Sequence, residues 1–206
     1  GRFREVEFDR PLAVATGVQA RFVPAGHMLG SASIELTVSE KGRSKVVVFS
    51  GDIGPSGLAL VRDAQPLRRA HAVFMESTYG DHKPLRETLA EFRGILEEAV
   101  RRQARILVPA FAVGRTQQIL FHLDELFCAG TLKPFPVYLD SPMAIEATRI
   151  YQNHPDLLDE EARDMRRACE IARHHAHVKP TPTPQESMAL NDAPEPCLIM
   201  TGAGMC

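Results

Sequence analysis

Between His71 and Leu139 the apolar residues keep changing their spacing, and this alternation limits the folds open to the chain more than any other feature. His71 to Met75 is a short apolar run, and Leu85 to Gln103 then places Leu85, Leu89, Phe92, Leu96 and Val100 at helical intervals. Arg105 to Pro109 is a second apolar run, Arg115 to Phe127 carries Ile119, Leu120, Leu123 and Leu126 on one side of a helix, and Pro136 to Leu139 is a third run. The order strand, helix, strand, helix, strand predicts an α/β fold. A crossover between parallel strands needs a long connection, which a helix packed on the sheet supplies.

The flanking segments extend this pattern. From Leu12 to Val48 short β-rich runs (Ala20 to Pro24, Ser33 to Val38, Lys45 to Phe49) are separated by glycine and polar turns, with Glu40-Lys41-Gly42-Arg43 between the last two. Downstream, Ala144 to Tyr151 and Pro155 to His174 read as helices, Lys179 to Pro184 as a Pro-Thr linker, and Cys197 to Thr201 as a final strand running into Gly202-Ala203-Gly204. No internal repeat or low-complexity block is present.

Composition narrows the class. With 44% hydrophobic and 24% charged residues over 206 positions, the chain has a globular balance. Its formal net charge of -2 supplies no global field toward polyanions, so any nucleic-acid contact must be local. Arg68 and Arg69, Arg101 and Arg102, and Arg166 and Arg167 with Arg173 are the basic groups available, and each also suits a solvated helix face. The 4 cysteines, Cys128, Cys169, Cys197 and Cys206, lack CxxC spacing and are expected to be reduced thiols. No apolar run reaches the roughly 18 residues of a membrane span, so no membrane partner is expected, and residence is expected in the cytoplasm.

Three acid or imidazole side chains stand beside glycines at the ends of β-type runs: His27 in Pro24-Ala25-Gly26-His27-Met28-Leu29-Gly30-Ser31, Asp52 in Phe49-Ser50-Gly51-Asp52-Ile53-Gly54, and Glu76 in Phe74-Met75-Glu76-Ser77-Thr78-Tyr79-Gly80. An imidazole nitrogen and a carboxylate oxygen can share a zinc ion, each binding at about 2.0 to 2.2 Å. A histidine between glycines and a Gly-Asp dipeptide equally suit plain turns. The dense group His174, His175 and His177 ends a charged helix and reads as charge complementarity with a helix C-terminus or as exposure. His71, His82, His122 and His154 have no partner pattern.

The string Gly26-His27-Met28-Leu29-Gly30-Ser31-Ala32, then Phe49-Ser50-Gly51-Asp52, then Glu76-Ser77-Thr78-Tyr79-Gly80, resembles the β-CASP branch of the metallo-β-lactamase superfamily in order and spacing. Val108-Pro109-Ala110-Phe111-Ala112-Val113-Gly114-Arg115-Thr116-Gln117, Tyr138-Leu139-Asp140-Ser141-Pro142-Met143-Ala144 and Thr201-Gly202-Ala203-Gly204-Met205 look like the domain inserted in that family. The family includes the endonuclease of pre-mRNA 3′-end cleavage and bacterial and archaeal ribonucleases. The resemblance implies a two-zinc phosphodiesterase acting on RNA, with a pair of ions activating a shared water and offsetting charge on the phosphate. It gives His27 the third metal motif, Asp52 the bridging fourth, and Glu76 the acidic motif that supports a catalytic histidine. Arg115, Ser141, Gly202 and Gly204 become candidates for contacts to the substrate backbone, since the family passes its substrate between its two domains. Gly-Arg at Arg115 also suits a helix start, and Gly202 with Gly204 a tight turn.

The resemblance further implies part of a metallo-β-lactamase αββα sandwich at 1–80 and most of an inserted β-CASP domain at 81–206, with a mainly parallel sheet flanked by helices. The family's His-x-His-x-Asp-His cluster does not precede His27, and its two late histidines do not follow the Gly-Met segment. The chain therefore reads as an internal fragment, itself inactive, holding zinc weakly or not at all, with a sheet edge left open to homo-oligomer formation. The intact parent would hold two zinc ions. Two other readings are a non-catalytic RNA-binding or scaffold subunit and a DNA-directed relative; intact His27, Asp52 and Glu76 weigh against the first, and Glu-Ser-Thr-Tyr-Gly against the second.

Overall fold

The computed structural model describes residues 4–78, 85–168 and 177–202, and the chain divides into two compact units, Gly1–Gly80 and Asp81–Cys206. The fold is mixed α/β, and its parallel sheet is flanked by helices.

In the first unit five strands lie in sequence order: β1 (Leu12–Ala15), β2 (Val18–Pro24), β3 (Ala32–Glu40), β4 (Arg43–Phe49) and β5 (Ala72–Phe74). The first four pair antiparallel and β5 joins β4 in parallel. Lys41 (φ 50°) and Gly42 (φ 74°) turn β3 into β4, a pair of positive φ values that matches the right-handed twist of a two-residue hairpin. Directly paired residues share a face. One face therefore carries Ala20, Phe22, Ile34, Leu36, Val47 and Phe49, and the other carries Arg21 opposite Glu35. The Arg21 guanidinium donates to both Glu35 oxygens at 3.0 and 2.9 Å and to Asp9 at 3.0 Å, fixing the β2–β3 register from the polar side.

The parallel sheet does not include the first strand of the alternating pattern. β5 pairs with β4 and belongs to the five-stranded sheet. Its three residues are all exposed, with Phe74 stacked on Phe49 at 4.8 Å between ring centroids. Hydrophobic spacing marks a strand but carries no information about which sheet receives it.

In the second unit α1 (Leu85–Arg101), β6 (Arg105–Ala110), α2 (Arg115–Cys128), β7 (Val137–Asp140), α3 (Pro142–Asn153), α4 (Glu160–Ala168), β8 (Val178–Pro180), α5 (Pro184–Ala189) and β9 (Cys197–Gly202) follow one another. The sheet runs β6-β9-β7-β8 with all pairs parallel. Val137, Leu139, Leu198 and Met200 meet Leu96, Leu120, Leu123 and Ala144 from α1, α2 and α3 in one core. On the opposite face Tyr138, Cys197 and Ile199 pack with Leu190 and Ala193. This two-sided burial is what a parallel sheet needs.

The Pro-Thr stretch is not a linker. Pro180 ends the edge strand β8, where a missing N–H costs no ladder bond, and Thr183 caps α5 with Pro184 at its first position. The Thr183 hydroxyl and the Glu186 carboxylate satisfy each other's backbone N–H at 3.3 and 3.0 Å. The helix expected over Pro155 to His174 opens with a 3-10 turn at Pro155–Leu157 before Asp159 caps α4, and His174 and His175 lie outside the described residues. Cys197 is a free, buried thiol, whereas Cys128 is disulfide-bonded, which corrects the expectation of a reduced thiol there. No described helix is long and apolar enough to cross a membrane.

Candidate functional site

In the first unit, antiparallel pairing on both sides of β3 makes β2 and β4 run the same way, and β5 follows β4. The carboxyl ends of β2, β4 and β5 therefore reach one edge of the sheet, each followed by a loop that holds one of the three sequence candidates: His27, Asp52 or Glu76.

Hydrogen bonds stitch these loops together. In the first loop the Ser31 hydroxyl accepts the N–H groups of His27 and Met28 at 3.0 and 3.2 Å. The Gly54 N–H donates to the Ala25 carbonyl at 2.9 Å and joins the first loop to the second. Side-chain volume at Gly54 is excluded, because a Cβ there would lie 1.8 Å from the Gly26 carbonyl oxygen. The second and third loops are joined by Ser50 N–H to Phe74 O at 2.9 Å, Glu76 N–H to the Ser50 hydroxyl at 2.9 Å, and Ile53 N–H to Glu76 Oε1 at 2.6 Å.

Glu76 is held in its charged form. The Thr78 hydroxyl, the Ile53 N–H and the Thr78 N–H all donate to its carboxylate, and with a smaller contribution from the His27 charge they lower its pKa from 4.5 to about 2. Glu76 is therefore ionised at any physiological pH. His27 is half-buried, and Asp52 is exposed with no hydrogen bond or ion pair to any described residue. A carboxylate held at its base by braced loops and left open at its tip is suited to a cation.

Imidazole and carboxylate are the donor types zinc prefers, so His27 and Asp52 fit part of a zinc site. Among the described residues, no group of three or more His, Cys, Asp and Glu side chains could hold a metal ion. A closed zinc site takes about four donors, so these two do not complete one.

The remaining candidates lie on the second unit. Arg115 is the exposed first residue of α2, just beyond β6; Ser141 caps α3 just beyond β7, its hydroxyl accepting the Ala144 N–H at 3.3 Å; Gly202 ends β9. Because these strands are parallel, all three residues reach the carboxyl edge of the sheet, where open α/β sheets bind ligands. Gly204 and His82 lie outside the described residues. The same edge exposes Phe111 on a loop braced by buried Thr116 and Gln117, whose side chains donate to Phe111 O and Ala112 O at 2.8 and 3.1 Å. Asp140, beside Ser141, is occupied by the hydroxyls of Thr181 and Ser187 at 2.8 and 2.9 Å.

Sequence reasoning passed over the hydroxyl residues. Ser31, Ser33, Ser50 and Thr78 brace the three loops, and the only signal for them was a small polar residue within six positions of a candidate. The stitching makes a prediction. Gly54→Ala should force the Ala25–Gly54 contact apart, and hydrogen exchange should rise together over residues 25–31 and 50–54. Unchanged exchange would show that the loops do not depend on that contact.

Residues 116–206 match the Beta-Casp domain family. Along its whole length the chain is 34% identical over 208 residues to Ribonuclease TTHA0252 of Thermus thermophilus, of which it covers 46%. It is 32% identical over 200 residues to the RNase J-like protein of Methanocaldococcus jannaschii, with 93% of this chain and 44% of that protein aligned. It is 28% identical over 209 residues to Transcription termination factor FttA of Methanosarcina mazei, with 97% of this chain and 32% of that protein aligned. The chain thus spans less than half the length of these curated relatives. The motifs at His27, Asp52, Glu76, Arg115, Ser141 and Gly202 fall within the stretch aligned to Ribonuclease TTHA0252, and residues 116–206 belong to the Beta-Casp domain family.

Proposed function

We propose that the protein to which this chain belongs hydrolyses RNA phosphodiester bonds with zinc, and that residues 1–80 contribute part of a metallo-β-lactamase sandwich while residues 81–206 form most of the β-CASP domain. The observation that carries this reading is the convergence of the His27, Asp52 and Glu76 loops on one sheet edge. Two relatives named as ribonuclease and RNase J-like support RNA as the substrate, and cytoplasmic residence goes with that substrate.

His27 and Asp52 would each offer one donor to the metal, and Asp52, with two oxygens and no competing hydrogen bond among the described residues, suits a position between two ions. Zinc, when bound, lowers the pKa of a coordinated water and offsets charge on the phosphate. Glu76 stays anionic and can hold a cationic proton donor in place, since the lone pairs left by Ile53 and Thr78 remain available. Arg115 would supply positive charge, and Ser141 and Gly202 polar backbone or hydroxyl contacts, along a sugar-phosphate chain. Exposed Phe111 offers a face on which a base can stack.

In the full-length protein Asp52→Asn is expected to abolish RNA cleavage while leaving RNA binding nearly unchanged, because an amide is a poor bridge between cations. A loss of about a hundred-fold to a thousand-fold is the scale for removing such an electrostatic element. Cleavage at near wild-type rate with zinc in excess would remove Asp52 from the site; no RNA cleavage by the unsubstituted full-length protein would favour a non-catalytic subunit, and cleavage confined to DNA a DNA-directed enzyme.

The same reading extends to self-association of this chain. Edge strand β5 exposes Val73 and Phe74, and Met75 follows them, an apolar edge that invites pairing. Sedimentation at several concentrations should show a concentration-dependent rise in mass, and a monomer throughout would contradict it.

A further inference from the structure

The geometry points to Ser50 as a positioning residue for Asp52, an inference that rests on the reading of Asp52 as a metal donor in an RNA-cleaving site. Ser50 is 5% exposed, and with Ser33 at 7% it accounts for the buried polar side chains among the described residues of the first unit. A hydroxyl taken out of water costs free energy unless its hydrogen bonds are replaced, so a pair of them at one place in a small sheet calls for a reason.

The reason lies in what they hold. The Ser50 hydroxyl donates to the Gly51 carbonyl at 2.7 Å and accepts the Glu76 N–H at 2.9 Å, while the Ser50 carbonyl accepts the Ser33 hydroxyl at 2.7 Å. The Glu76 carboxylate in turn accepts the Ile53 N–H at 2.6 Å. The Gly51 carbonyl belongs to the peptide before Asp52 and the Ile53 N–H to the peptide after it. Both peptide planes that set the direction of the Asp52 side chain are therefore pinned, one by Ser50 and the other by Glu76, and the two clamps hold each other through the Glu76 N–H.

Gly51 sits at φ 58°, a left-handed conformation that glycine adopts without strain. Ser50 makes no contact with substrate and performs no step. It fixes the approach angle of a carboxylate whose own tip makes no hydrogen bond or ion pair with any described residue. Misplacing a reacting group by about 1 Å can cost on the order of a hundred-fold in rate with substrate binding intact.

The test uses the full-length protein with Ser50→Ala and the shape-matched pair Ser50→Thr and Ser50→Val, which differ from each other only in the hydroxyl. RNA cleavage kinetics, melting temperature and zinc retention against a chelator are measured for each, with Asp52→Asn alongside. The expected result is that Ser50→Thr keeps most of kcat, whereas Ser50→Ala and Ser50→Val lose about ten-fold to a hundred-fold in kcat with KM nearly unchanged and release zinc sooner. Hydrogen exchange at the Glu76 amide should rise in the same two variants. If Ser50→Ala fails to fold, the Thr and Val pair decides alone. Equal kcat and zinc retention in Ser50→Thr and Ser50→Val would overturn the inference, as would losses in kcat that track melting temperature across all variants. Wild-type cleavage by Asp52→Asn would instead sink the reading of Asp52 as a metal donor on which the inference rests, so the two failures are distinguishable.

Discussion

The first unit depends on the clamp between Glu76 and the backbone of residues 53 and 78. A carboxylate accepting two backbone N–H groups and a hydroxyl is held as an anion, and the depth of its pKa, about 2 against an ordinary 4.5, records how well those donors are aligned. A depressed folded-state pKa stabilises the fold fully above the unfolded value, and that contribution fades as pH falls from about 4.5 through about 2. The loop that presents Asp52 is thus secured over the neutral range by a group that does not itself titrate there. The other two loops inherit this order through Ser50 and through the Gly54–Ala25 contact.

Much of this was legible in the sequence. The β-rich runs before Phe49, the helices at Leu85 and Arg115 and the strands at Arg105, Pro136 and Cys197 follow from hydrophobic period, and the glycine-flanked candidates were visible as breaks at strand ends. What escaped had a physical cause in each case. A three-residue strand such as β8 has too few side chains to show a period, and Thr-Pro reads as a turn until its capping box with Glu186 is seen. The pairing of β5 with β4 could not be read from local pattern, since it is decided by residues distant in the chain, and nothing in the spacing around Cys128 marked it as disulfide-bonded.

The candidate site divides along the same line. His27, Asp52 and Glu76 could be picked out because they follow β-type runs within strings whose order and spacing resemble the β-CASP motifs, but the hydroxyls that orient them look like ordinary small polar residues. Their function comes from reciprocity: Ser50 needs Glu76 to accept from, and Glu76 needs Ile53 in reach, and no single position reveals that relation. Arg115, Ser141 and Gly202 are brought to one edge by the parallel order of β6, β7 and β9, a placement that follows once the sheet topology is known.

The clamp can be measured directly by following the Glu76 side-chain carboxyl carbon by NMR in this chain as the pH is lowered. Its chemical shift should stay at the ionised value down to a pH of about 3 and turn only near the value of about 2 that its three donors impose. A titration centred near the ordinary 4.5 would mean that Ile53 and Thr78 do not hold the carboxylate, and that the Asp52 loop is not secured in the way described.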